Sequence, residues 1–341
     1  MEKNIPHNKI PAWLVLLAVL ASVTAMAFPL LYLVSAALWA SILIRCNHAA
    51  LLLLLLLPPV GVVFALYAAS GGTVDALVGN LCMALLGTVP GLALCLMQAQ
   101  KRGGFYSAAV TGGLSALLLY FAVCLPGVLT GEGAFAPAEA AMHASADWMR
   151  QILDQMRTPE TAAVFARYEE GLSFMENAVQ TWLVPMLVLL GGLLGLSNTL
   201  FFRLFVKKDR EALGLAPLKP FSRWSVPREA SLGMFLLLLG AVVLMLTGSN
   251  SADAVSATVA AIVGLPLFVQ GIALIDYLLT RNGKNIAMKR ILAYVLIAAL
   301  LPSLASALLF AGCAEQVLHI RDSYDRLKQY RDTQQNGGGH A

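Results

Sequence analysis

The chain has 341 residues, of which 59% are apolar and 12% charged, with 23 basic against 19 acidic side chains and a net charge of +4. Its mean hydropathy is +0.75. An ordinary soluble chain is about 25% charged, so this one lacks the charge to cover a water-facing surface; a soluble enzyme, a secreted disulfide scaffold and a nucleic-acid-binding domain are excluded.

Nine apolar segments follow in order: Pro11–Ala27, Leu30–Leu43, Ala49–Ala69, Val74–Met97, Phe105–Leu129, Ala178–Phe205, Ser231–Leu246, Ala254–Leu279 and Ile291–Ala311. A bilayer core takes about 20 residues of helix, so each reads as a membrane span. Phe28-Pro29 separates the first two. Proline cannot donate to the helical ladder, so a tight break between two short helices is expected there. Pro58-Pro59 and Pro302 predict kinks or unwound turns in the third and ninth spans. No cleaved signal peptide is expected at the N-terminus.

With the N-terminus inside, the inner segments hold 16 of the 23 basic residues. Cytoplasmic loops carry such an excess. This parity puts the tail with Arg321, Arg326, Lys328 and Arg331 outside, mixed with Glu315, Asp322, Asp325 and Asp332. If one of the first two segments does not cross, eight spans leave the tail inside.

The expected architecture is therefore an all-α polytopic transmembrane bundle of about nine spans with an amphipathic extracytoplasmic helical hairpin. It divides into an N-terminal bundle of five spans (1–129), an outer insertion (130–179), a C-terminal bundle of four spans (180–312) and a polar tail (313–341). In the insertion, Met149, Ile152, Leu153 and Met156 recur at helical spacing, Thr158-Pro159-Glu160 reads as a helix start, and Val164, Tyr168, Leu172 and Met175 form a second stripe. The hairpin is either a lid or partner-docking surface, or an interfacial helix pair packed on the bundle or headgroups. The inner loop at 206–230 is net basic and is expected to attract anionic lipid headgroups. Trp224 stands just before the seventh span, where an aromatic-belt residue belongs. The polar, glycine-rich Gln334–Ala341 reads as disordered.

Polar side chains inside lipid are costly, and each invites a role. Gln270 in LPLFVQGIALIDYLL, Asn198 beside Ser197 in GLLGLSNTLFF, Asp276 near the inner end of the eighth span, and Arg45 with His48 at the inner turn after the second are the candidates for solute or helix–helix contacts. Asp276 could be neutralised by Arg203 or Arg281, or reach water. Gln270 and Asp276 lie about 240° apart around a helix and share no face. Gly191-x-x-x-Gly195, Ala21-x-x-x-Ala25 and Ala36-x-x-x-Ala40 have the spacing of close helix crossings.

Cys46, Cys82, Cys95, Cys124 and Cys313 form no CxxC pair, and the five histidines form no HExxH. No phosphate-cradling GxxxxGK[ST] is present. No catalytic, cofactor-binding or metal-ligating residue is expected, and the chain does not read as an enzyme. A solute carrier driven by ATP would need a partner to hydrolyse it.

Phe28-Pro29-Leu30, Ile44-Arg45, Lys101-Arg102, Leu218-Lys219-Pro220-Phe221-Ser222-Arg223-Trp224, Val226-Pro227-Arg228 and Val269-Gln270-Gly271-Ile272-Ala273 carry a likeness over nearly the whole chain. On these residues the chain resembles the YybS-like group of multi-pass bacterial membrane proteins, a domain of unknown function. The resemblance implies a bacterial plasma membrane location and topology, and it transfers no catalytic or binding residue. More distantly the chain is similar to the substrate-capture subunits of energy-coupling factor transporters, which dock on a coupling subunit through alanine-rich faces. Ala21-x-x-x-Ala25 and Ala36-x-x-x-Ala40 carry that likeness.

Two functions compete. One is a solute-binding transporter-like subunit without its own ATPase, which expects a closed polar pocket among the later spans. The other is a membrane scaffold recruiting a coupling subunit or envelope protein through the inner loop and outer hairpin.

Overall fold

The computed structural model describes residues 12–45, 50–70, 72–156, 162–213, 215, 220–249, 251–281 and 286–337. His48, Thr158-Pro159-Glu160 and Leu218-Lys219 lie outside them. The described residues are helical apart from short turns and connections, and contain no strand. Two compact units are present, one of residues 1–216 with 253–258, the other of 217–252 with 259–341.

The first unit contains α1 (Ala12–Thr24), α2 (Tyr32–Leu43), α3 (Ala50–Ser70), α4 (Val74–Leu86), α5 (Val89–Ala99), α6 (Gly104–Thr130), α7 (Ala136–Gln155) and α8 (Ala162–Phe205). The expected break between α1 and α2 is there, as a 3₁₀ turn over Pro29–Leu31. Pro58 and Pro59, by contrast, sit inside an uninterrupted α3. The segment read as a single span over Val74–Met97 is one candidate span, Ala76–Ala99, with a turn inside it: α4 and α5 part at Gly87-Thr88, with Pro90 in the first turn of α5.

Every residue of α2 except Leu33 and Val34 is buried. In lipid, apolarity alone does not draw a helix inside; small side chains do, because they let neighbouring backbones approach. Ser35, Ala36, Ala37, Ala40 and Ser41 do this around Trp39, which donates from Nε1 to Ser22 Oγ of α1 at 2.6 Å. The Gly191-x-x-x-Gly195 spacing works the same way between α6 and α8. A Cβ at Gly191 would overlap Ala116, and one at Gly195 would overlap the backbone of Ala108 and Gly112.

The second half of the expected hairpin is not a separate helix. It is the first half of α8, which runs unbroken for 44 residues. At about 1.5 Å per residue that is roughly twice the ~30 Å of a bilayer core, so the polar N-terminal half extends past the apolar part. Helix α7 packs along this extension. Glu176 of α8 accepts from both terminal nitrogens of Arg150, at 3.0 and 2.6 Å, and lies 3.0 Å from His143 Nδ1. Gln180 donates to Glu139 at 2.8 Å.

The second unit contains α9 (Arg228–Leu246), α10 (Ala252–Thr280, whose 253–258 group with the first unit), α11 (Ile286–Ala299), α12 (Leu301–Leu318) and α13 (Ile320–Gly337). The ninth apolar segment is not one span. Pro302, in the first turn of α12, parts it from α11 at Leu300. Helices α10 and α12 cross at Gly271 and Gly312. A Cβ at Gly271 would strike the Leu308 carbonyl and one at Gly312 the Leu267 carbonyl, each four residues before the facing glycine. That reciprocal offset is the pattern of parallel helices, since each Cβ tilts toward its helix N-terminus. With α12 parallel to α10, the intervening α11 runs the other way.

Helix α12 ends at His319, left-handed at φ 48° and ψ 49°. Glu315 then accepts the Arg321 backbone N–H at 3.3 Å and so caps α13, which continues through Gln334 to Gly337 where disorder was expected.

Among the described residues six helical stretches are long and apolar enough to cross a membrane: Ala76–Ala99, which joins most of α4 to α5 across their turn, Gly104–Thr130, Ala163–Phe205, Arg228–Leu246, Ala252–Thr280 and Leu301–Leu318. Ala12–Thr24, Pro29–Leu43 and Leu57–Ala69 are apolar but shorter. A helix of 13 residues such as α1 reaches about 20 Å, short of the ~30 Å core.

Candidate functional site

Those of the polar residues singled out in the sequence that lie among the described residues divide between the units, and each is engaged by the chain itself. In the first unit, Asn198 of α8 grips α2. Its Nδ2 donates to the Tyr32 and Leu194 carbonyls, both at 2.9 Å, and its Oδ1 accepts the Ala37 N–H at 2.9 Å. Ser197 adds a bond from its hydroxyl to the Leu33 carbonyl at 2.8 Å. Arg45 closes the other end of α2. It donates to the Ser41 carbonyl at 2.7 Å, the Phe205 carbonyl at 3.1 Å and Asp209 Oδ2 at 2.7 Å. One guanidinium thereby ties the C-terminal ends of α2 and α8 together, where a cation also offsets the helix dipoles.

In the second unit, Gln270 and Arg321 serve the irregular segment between the 3₁₀ turn Phe221–Arg223 and α9. Backbone outside a helix carries N–H and C=O groups that must find partners when water is excluded. Gln270 Oε1 accepts the Val226 N–H at 2.7 Å, and Gln270 Nε2 donates to the Gly312 carbonyl at 3.3 Å. Arg321 Nη1 donates to the carbonyls of Ser222 at 2.7 Å and Trp224 at 2.9 Å. Its Nε holds Glu315 Oε1 at 2.7 Å, in an ion pair buried on both sides. Sequence reasoning missed Glu315 and Arg321, having read both as part of an exposed polar tail. The FSRW stretch and the later QG pair are thus two sides of one junction.

Asp276 is neutralised by neither Arg203 nor Arg281. Arg290, in the first turns of α11, makes the pair, with Nε 2.6 Å from Oδ1 and Nη2 2.9 Å from Oδ2. The reason is the reversal of direction after α10, which brings the start of α11 back beside the helix it has just left. Gln270 and Asp276 have different partners, as their angular separation requires.

The sequence leaves the side of the tail open, opposite 206–230 with nine spans and on the same side with eight. Arg321 and Asp325 meet Ser222, Arg223 and Trp224 at one end of the second unit. Helix α11 runs against α10 and α12 runs back with it, so the chain returns to the end that α10 reached.

At this end lies an open cleft of about 220 Å³, lined by Ser222, Arg223, Tyr277, Thr280, Arg281, Tyr324, Asp325 and Lys328. Asp325 accepts from the Tyr277 hydroxyl and from Arg223 Nη1, both at 2.5 Å. These two bonds, Tyr277's first and Arg223's second, hold its carboxyl below the usual carboxylate range, and Asp325 raises the Arg223 guanidinium in turn. Arg223 also lies over the Tyr277 ring at 5.0 Å, and Arg281 over the Tyr324 ring at 3.4 Å. Both are cation–π contacts. Among the described residues no three His, Cys, Asp or Glu side chains cluster as a metal site requires.

A family model described as a predicted membrane protein, DUF2232, matches residues 10–314. The chain belongs to this family. It is accordingly a membrane-embedded, multi-pass protein associated with the lipid bilayer. No curated protein and no solved structure matches it.

Proposed function

We propose that this DUF2232 protein is a membrane scaffold that recruits a protein partner through the α7–α8 hairpin, in the plasma membrane of a bacterium and with its N-terminus cytoplasmic. The observation that carries this reading is the apolar surface the hairpin leaves exposed. Trp148 of α7 is 61% exposed, and Tyr168 and Phe174, on the extension of α8, are 57% and 68% exposed. Aromatic side chains supply much contact area at small entropic cost, which is why they anchor protein interfaces. Met149 and Met175 are exposed as well.

The solute-binding alternative needs polar groups free to meet a solute. Asn198 and Gln270, its best candidates, are spent on the chain's own backbone. Its analogy with energy-coupling factor capture subunits needs Ala21, Ala25, Ala36 and Ala40 on a docking surface, and all four are buried within this chain. The YybS-like resemblance fits either reading.

Affinity purification from native membranes in mild detergent, with mass spectrometry of proteins and small molecules, tests the proposal. The expected result is a stoichiometric protein partner that W148S/F174S loses while remaining folded. A retained metabolite, a stoichiometric ATPase, or a partner set unchanged in W148S/F174S would overturn it.

A further inference from the structure

We propose that the cleft between the Phe221–Arg223 turn, the end of α10 and α13 is a binding site for a phosphate group. The argument starts from charge. Arg223, Arg281 and Lys328 line the cleft with one carboxylate, Asp325, which is already engaged by Tyr277 and Arg223. Asp322 also acts on Arg223, and the balance is still an excess of positive charge, which suits a phosphate. Arg281 and Lys328 make no ion pair with any described residue.

Geometry adds to this. With the Arg281 guanidinium lying over Tyr324 at 3.4 Å, the ring occupies one face of the cation, and its N–H edges remain to donate. Arginine's planar fork is suited to phosphate, and lysine adds a point charge. At about 220 Å³ the space exceeds what one water needs and falls below the roughly 300–1,000 Å³ of a site enclosing a whole drug-sized molecule. It therefore holds a headgroup-sized anion.

Position adds a third argument. The cleft is built where three elements leave the apolar region: just before α9, at the last turn of α10, and after α12. That is the depth of lipid headgroups, beside Trp224. The phosphate is carried either by an anionic lipid or by a free phosphate compound. The site is independent of the hairpin and of any partner it recruits.

The full chain is reconstituted in phosphatidylcholine vesicles with or without phosphatidylglycerol, extracted gently, and its retained lipids are counted by native mass spectrometry. Inorganic phosphate is titrated calorimetrically into the phosphatidylcholine preparation. Saturable retention of phosphatidylglycerol assigns the lipid; heat from inorganic phosphate assigns the free compound; either supports the site. R281Q/K328Q is expected to weaken binding roughly 30-fold, the worth of two cations near such a headgroup, and R281K/K328R to restore most of it. K207Q/K208Q removes two exposed charges that belong to the first unit and do not line the cleft, and is expected to leave binding unchanged. Absence of both signals in the unmodified protein, or equal losses in K207Q/K208Q and R281Q/K328Q, would overturn the proposal.

Discussion

Gln270 and Arg321 carry energy because their partners are backbone groups with nowhere else to turn. Gln270→Leu fills similar volume but strands the Val226 N–H, which Gln270 Oε1 accepts at 2.7 Å. The expected loss is about 1–3 kcal/mol, read from unfolding in mixed detergent. Gln270→Glu keeps an acceptor and is expected to lose less. Arg321→Met is more damaging, since it leaves the buried Glu315 charge unpaired as well as the Ser222 and Trp224 carbonyls. Breaking one side of such a pair costs about 3–5 kcal/mol. Adding Glu315→Gln should recover part of it, and a double variant no more stable than Arg321→Met would show that the pair is not what matters. Sequence alone picked out Gln270 and Asn198, because an amide in an apolar run stands out. It could not pick out Glu315 and Arg321, which sit among many charges of the same kinds.

At the scale of elements, helix crossings depend on positions where nothing larger than hydrogen fits. Gly312→Val places branched carbons where the Leu267 carbonyl lies, and α12 must then move away from α10. The expected cost is about 1–3 kcal/mol of overpacking, together with weaker protection of the Ser222–Val226 segment from proteolysis; wild-type digestion would contradict it. The docking of α13 carries a pH signature. Because the Asp325 carboxyl is held below its ordinary range by Tyr277 and Arg223, its contribution is present above about pH 4, the unfolded value. It is lost as pH falls through the lower folded value. Acid should therefore loosen α13 in the native protein and not in D325N, measured by hydrogen exchange of α13. Equal pH dependence in both would remove Asp325 from the account. Helix periodicity made α6, α9 and α10 legible almost to the residue. It could not separate α4 from α5 or α11 from α12, because apolar composition continues across a turn whether it is packed inside the bundle, as at Leu86 and Thr88, or lies against lipid.

For the whole molecule, the decisive relation is between the 220–227 segment and the tail. With both at one end of the second unit, single cysteines introduced at Ser225 and at Ser323 in a cysteine-free background should respond alike to an impermeant thiol reagent in intact cells. Opposite labelling would contradict the parallel arrangement of α10 and α12. The sequence by itself determined the solvent, the helical class, the break at Phe28-Pro29 and most of the apolar spans. These follow from composition and from the local geometry of proline. Only the tertiary structure decided which polar groups are spent, which glycines are crossings, and where the tail lies. Each of those depends on what stands opposite a residue across a helix interface, and a partner such as Arg321 for Ser222 is 99 positions away along the chain.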